Sequence, residues 1–123
     1  MGGCTFYNTA RRGTYPASTE TVQEGRYQVT RTKYGDWPNA KEAFQRLGDD
    51  DRYENGHSYS GGIGMKHDFV HIATVGTYEE ASALGEKLID DCDPRIDDKW
   101  GPAGCITVRE GPVQFLFFGW ASS

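Results

Sequence analysis

The segment 113–121, VQFLFFGWA, is the most apolar run in the chain, and Phe115, Leu116, Phe117, Phe118 and Trp120 load both faces of any strand it forms with bulk. A strand in a one-sided sheet alternates apolar with polar side chains, so this one demands cover on both sides. The expected cover is a subunit interface, making 113–121 a homo-oligomer contact, or a ligand pocket. Folding back of Trp100-Gly101-Pro102 is the alternative within the chain.

A chain of 123 residues, 37% hydrophobic and 25% charged, suits one α+β domain over 1–123 and is too apolar for disorder. No window approaches the ~18 apolar residues of a membrane span, and the N-terminus has no signal-peptide pattern, so a soluble cytoplasmic protein without membrane contact is expected. Cys4, Cys92 and Cys105 are odd in number and widely spaced, which predicts reduced buried thiols rather than a disulfide framework or a metal knuckle. Charge is uneven. Residues 1–47 hold seven basic against four acidic side chains, and 48–123 hold six against fourteen, which predicts two electrostatic faces.

Residues 4–10 read as a first strand, 13–25 as an exposed loop, and 26–34 as a half-exposed strand paired with the first. Together 11–35 make a protruding hairpin arm. Asn39 with Glu42 resembles a capping box, and Ala40, Ala43, Phe44 and Leu47 follow at helical spacing until Gly48 and Asp49–Asp51 end the helix. The glycine-dense stretch 56–64 leads into or forms a strand, and 68–75 is a strong one. Thr77 caps a second helix that runs to Cys92, a loop follows at 95–104, and strands at 105–109 and 113–121 flank a turn. Without the arm and the extra C-terminal strand the order is β-α-β-β-α-β. That is the ferredoxin-like arrangement, an antiparallel sheet with two helices on one face.

Several residues invite a chemical reading. In 56–64, His57, Ser58, Tyr59, Ser60, Gly61 and Gly62 bring donors to a turn whose backbone N–H groups can cradle an anion, with Lys66 as countercharge; a purely structural turn is the plainer reading. Arg11, Arg12 and Arg26, interleaved with Tyr27 and Tyr34, offer cations beside stacking rings, which suits a nucleotide. His67 and His71 would share a metal on a helix, but on a strand they stand about 13 Å apart, so no metal and no cofactor is expected. Ser60 lacks the strand-turn-helix setting of a nucleophile elbow.

The pattern Tyr53-Glu54-x-Gly56-His57-x-Tyr59-Ser60-Gly61-x-Ile63, after a helix containing Ala43-Phe44, resembles one in small proteins of actinobacteria and their phages that carry no assigned activity. The resemblance covers about residues 40–75 and implies a phage accessory or anti-defence protein. The expected function is non-enzymatic binding of a small anionic ligand such as a nucleotide. Arg11, Arg12 and Arg26 would meet phosphate, Tyr27 or Tyr34 would stack, and His57, Ser58 and Ser60 would orient it. Two other classes stay open. One is an acidic inhibitor or DNA mimic that occupies a host protein, and the other is a nucleotide-modifying enzyme with His57 as general base and Glu54 orienting it.

Overall fold

The computed structural model describes residues 3–55, 62–98 and 100–122. It is an α+β structure of six strands and two helices. In chain order these are β1 (Gly3–Ala10), β2 (Tyr15–Glu24), β3 (Tyr27–Gly35), α1 (Ala40–Asn55), β4 (Phe69–Val75), α2 (Tyr78–Asp90), β5 (Ala103–Val108) and β6 (Gln114–Ser122), with one 3₁₀ turn at Ile63–Met65. A four-stranded sheet has the order β1-β6-β5-β4, and β2 and β3 form a second sheet of their own. The β1–β6 and β6–β5 pairs are antiparallel, whereas β4 and β5 are parallel. Helix α2 supplies the crossover that a parallel pair requires.

The order differs from the ferredoxin-like expectation in four ways, the first being the parallel β4–β5 pair in a sheet expected to be antiparallel throughout. Residues 63–65 form a 3₁₀ turn instead of a strand, and the first strand pairs with the last, not with the arm. The helices also lie on opposite faces of the sheet. Phe115 and Phe117 pack with Ala43 and Phe44 of α1, while Leu116 and Phe118 pack with Ala81, Leu88 and Ile89 of α2. Because successive strand residues point to opposite faces, two helices that contact alternate residues of one strand must flank it. This is why β6 is apolar on both sides. Phe117 and Phe118 are each 0% exposed, so the chain itself covers the faces for which a subunit interface was expected.

Gly104 sits opposite Phe118, and a Cβ there would come within 2.6 Å of Phe118 Cζ. The missing side chain makes room for the ring on the α2 side.

Both helix starts form as their sequences predict. Asn39 Oδ1 accepts from Glu42 N at 2.8 Å, and Thr77 Oγ1 accepts from Glu80 N at 3.2 Å. Helix α1 does not stop at Gly48 but continues to Asn55. Two of the three aspartates that should have opposed it are engaged. Asp49 pairs with Arg52, and Asp51 Oδ2 accepts from Gly64 N at 2.8 Å.

The expected loop at 13–25 is largely strand β2, paired with β3 from Tyr15–Gly35 to Glu24–Tyr27. Gly25, at φ 59°, and Arg26 make the two-residue connection, and glycine at its first position is what a type II′ hairpin turn requires.

Helix α2 ends in a Schellman motif. Asp93 N donates to the Leu88 carbonyl at 3.1 Å and Cys92 N to the Ile89 carbonyl at 3.2 Å, with Cys92 at φ 54°. A residue with a Cβ is strained there, so Cys92→Gly is expected to stabilise the fold by about 1 kcal/mol, read as a higher urea midpoint at unchanged slope. Phe117→Asp, by contrast, puts an unpaired carboxylate into the core and is expected to cost more than about 4 kcal/mol. Circular dichroism should report an unfolded chain rather than a folded protein released from an assembly.

Candidate functional site

A cleft of about 540 Å³ opens between α1 and the segment entering β4. Its floor is aromatic. Phe44 and Phe69 lie 5.2 Å apart, and both approach Phe117, at 5.6 and 5.5 Å between ring centroids. Lys41, Gln45 and Arg52 come from α1, and Lys66, His67 and Asp68 come from the opposite wall. Positions 41, 45 and 52 recur at i, i+4 and i+11, which brings them to one side of a helix.

The cations are not equivalent. Arg52 Nη1 donates to the Gly64 carbonyl at 3.0 Å while Nη2 holds Asp49, so this guanidinium mainly ties the end of α1 to the 3₁₀ turn. Gly64 allows that closeness, since a Cβ there would meet Asp51 Oδ2 at 2.5 Å. Lys66 is only 3% exposed, and its Nζ donates to the carbonyls of Asp98 and Gly101 at 3.3 and 3.0 Å. Burial pushes its pKa down to about 8, with nearby Asp98 acting the other way. Lys41 is exposed, and among the described residues it has no hydrogen bond or ion pair. On the acidic side, Asp68 Oδ1 accepts from Phe69 N at 2.7 Å, which leaves its second oxygen as an acceptor.

Of the site residues expected from the sequence, Lys66 lines this cleft. Gly62, half-buried, immediately precedes the 3₁₀ turn. His57, Ser58, Tyr59, Ser60 and Gly61 lie outside the described residues, as does Gly56 of the 53–63 motif.

The arm residues do not converge. Arg26 and Tyr27 are at the hairpin tip, and Tyr34 is near its base, seven residues or about 23 Å along β3. Tyr34 lines a separate hollow of about 300 Å³ with Trp37 and Arg46. The Arg11 guanidinium lies over the Tyr78 ring, 5.6 Å from its centroid, and Arg12 N donates to Gln114 Oε1 at 3.2 Å. Both therefore sit where β6 begins. Lys66 sits near Phe69, which pairs with Ala103 at the other end of β5, about 16 Å of strand away.

The remaining residues singled out are dispersed too. His67 is in the loop before β4 and His71 is on it, with its Nε2 3.1 Å from Thr107 Oγ1. Cys92 is exposed, contrary to expectation, because it occupies the helix cap. Cys105 is buried, which pushes its thiol up to about 12 and leaves it a poor nucleophile. Among the described residues, no group of three or more His, Cys, Asp or Glu could hold a metal ion, and no helix is long and apolar enough to cross a membrane.

Compared with known proteins, the chain matches no family model, no curated protein and no solved structure.

The Lys66 ammonium gives a pH dependence with a definite sign. Its folded pKa, about 8, lies below the ordinary lysine value, so between the two the unfolded chain binds a proton that the folded chain lacks. Stability contributed at this site therefore rises with pH. Urea midpoints are expected to increase between about pH 7.5 and 9.5 for the wild type relative to Lys66→Met, and a flat difference would contradict the assignment.

Proposed function

We propose that this chain is a non-enzymatic binding protein that takes a small anionic ligand, such as a nucleotide, in the cleft between α1 and β4. The observation that carries the reading is the pairing of an aromatic floor, Phe44 and Phe69, with cations on both walls, Lys41 and Arg52 on α1 and Lys66 opposite. A low-dielectric floor strengthens the attraction of each cation for an anion, and Lys41 can turn to a ligand without breaking an internal bond. The site moves from the arm to the cleft because Arg11, Arg12, Arg26 and Tyr27 stand too far apart to share one small molecule. Sequestering a small anionic signal would also suit the phage accessory or anti-defence origin that the 53–63 motif implies.

A thermal-shift screen of nucleotides, ribose 5-phosphate and inorganic phosphate tests the reading. At least one phosphorylated compound is expected to raise the melting temperature. Lys41→Glu should weaken its binding by about tenfold or more, the scale of one charge-assisted contact, while Arg11→Ala/Arg12→Ala should leave it unchanged. If no compound shifts the transition, the acidic-inhibitor reading takes its place.

A further inference from the structure

A sheet edge exposes a row of backbone N–H and C=O groups, and proteins usually blunt it with charge, proline or a bulge. Of the two edges of the four-stranded sheet, β4 carries such a device, a register shift between His71 and Ala73. β1 carries none. Its eight residues, GCTFYNTA, include no charge and no proline, and they pair with β6 from Gly3–Ser122 to Ala10–Phe115 without a shift. Among the described residues no strand pairs with its outer side.

The ground beside this edge is acidic. Tyr7, 44% exposed, has its pKa raised by burial and by the nearby carboxylates of Glu86 and Asp90, so one turn of α2 flanks the strand with negative charge. Both residues are exposed, and neither side chain has a hydrogen bond or ion pair among the described residues. A strand that fits here must bring cations.

The chain holds such a strand in its own arm. β2 and β3 pair only with each other, so the outer side of β3 is a second open edge. Charge is sorted by strand, with Arg31 and Lys33 on β3 and Glu20 and Glu24 on β2. Arg31 and Lys33 are two apart and therefore share a face. Arg31 is paired with Glu24, whereas Lys33 is exposed and has no hydrogen bond or ion pair among the described residues. Addition through β2 would instead bring Glu20 and Glu24 toward Glu86 and Asp90, which like-charge repulsion opposes. The lengths also agree, nine residues in β3 against eight in β1. Within one chain the two edges do not meet.

We infer that the chain forms a two-fold dimer in which β3 of each copy adds as a strand to the β1 edge of the other, with Lys33 against Glu86 and Asp90. Each copy supplies one arm and one acidic edge, so the contact is self-complementary and is made twice. Both open edges are thereby closed, and the basic surplus of residues 1–47 meets the acidic surplus of 48–123. The dimer is independent of the ligand reading above, because the cleft lies at β4 and β1 is the opposite edge of the sheet.

Light scattering on the eluting full chain, across a concentration series, is expected to reach twice the mass of one chain. Lys33→Glu and, separately, Glu86→Lys/Asp90→Lys should each raise the dimer dissociation constant by about tenfold or more, since each opposes like charges across the contact. An equimolar mixture of the two variants should restore the dimer, because a reversed arm then meets a reversed edge. All three side chains are exposed, so circular dichroism should report folded variants. A measurement that needs no variant is amide exchange of the wild type, in which β1 and β3 should exchange more slowly in the dimer than in the dilute monomer. A chain that stays monomeric at every concentration, a dimer that survives either variant, or two weakened variants that fail to rescue one another overturns this assembly. Loss in Lys33→Glu with survival of Glu86→Lys/Asp90→Lys assigns the contact to arm on arm instead.

Discussion

Strand β6 is the constraint from which the rest of the architecture follows. With phenylalanines at consecutive positions on both faces, it is tolerable only at the centre of a sheet with a layer on each side. The chain meets both conditions. β1 and β5 cover its edges, α1 covers the face of Phe115 and Phe117, and α2 covers the face of Leu116 and Phe118. A missing side chain then appears where a large ring needs space, at Gly104 opposite Phe118. Two half-cores result, with one strand as their shared wall.

The same arrangement creates the cleft. Once Phe44 is committed to Phe117, the polar positions of α1 beside it face the segment that enters the edge strand β4. Lys66 connects that wall to its surroundings, because it contributes to the cleft and also bonds the carbonyls that brace the Trp100 loop. A buried ammonium is expensive to desolvate, and carbonyl partners are the compensation normally found for it.

What could be read from the sequence was mostly local. The Asn39 and Thr77 caps depend on residues only three apart, and they appear in the structure as expected. Non-local choices were not legible. The face on which each helix would pack depends on how β6 is divided between them, and β2 looked like a loop because Thr, Ser and Glu exposed on both sides leave no hydrophobic period. The end of α1 was misread because its aspartates find partners at Arg52 and at Gly64, thirteen residues away in the latter case. For the cleft, Lys66 is legible beside the glycine-dense turn, whereas the helical recurrence of Lys41, Gln45 and Arg52 has the same pattern as an ordinary solvated helix face. Basic and aromatic residues that cluster in sequence along the arm do not cluster in space, because an extended hairpin separates its tip from its base by nearly its full length.

The hairpin itself has its own energetics. β2 and β3 bond only to each other as strands, and the fastenings to the body are at the base, where Trp37 Nε1 donates to the Arg11 carbonyl and Tyr15 packs on Trp37 with its hydroxyl on Glu42. Two strands without a covered face have little to resist opening. Amide exchange along the arm would therefore proceed through local fraying that starts at the Gly25 turn and stops at the indole of Trp37, while the amides of β5 and β6 wait for global unfolding. In that sense Trp37 is a thermodynamic boundary within a continuous chain.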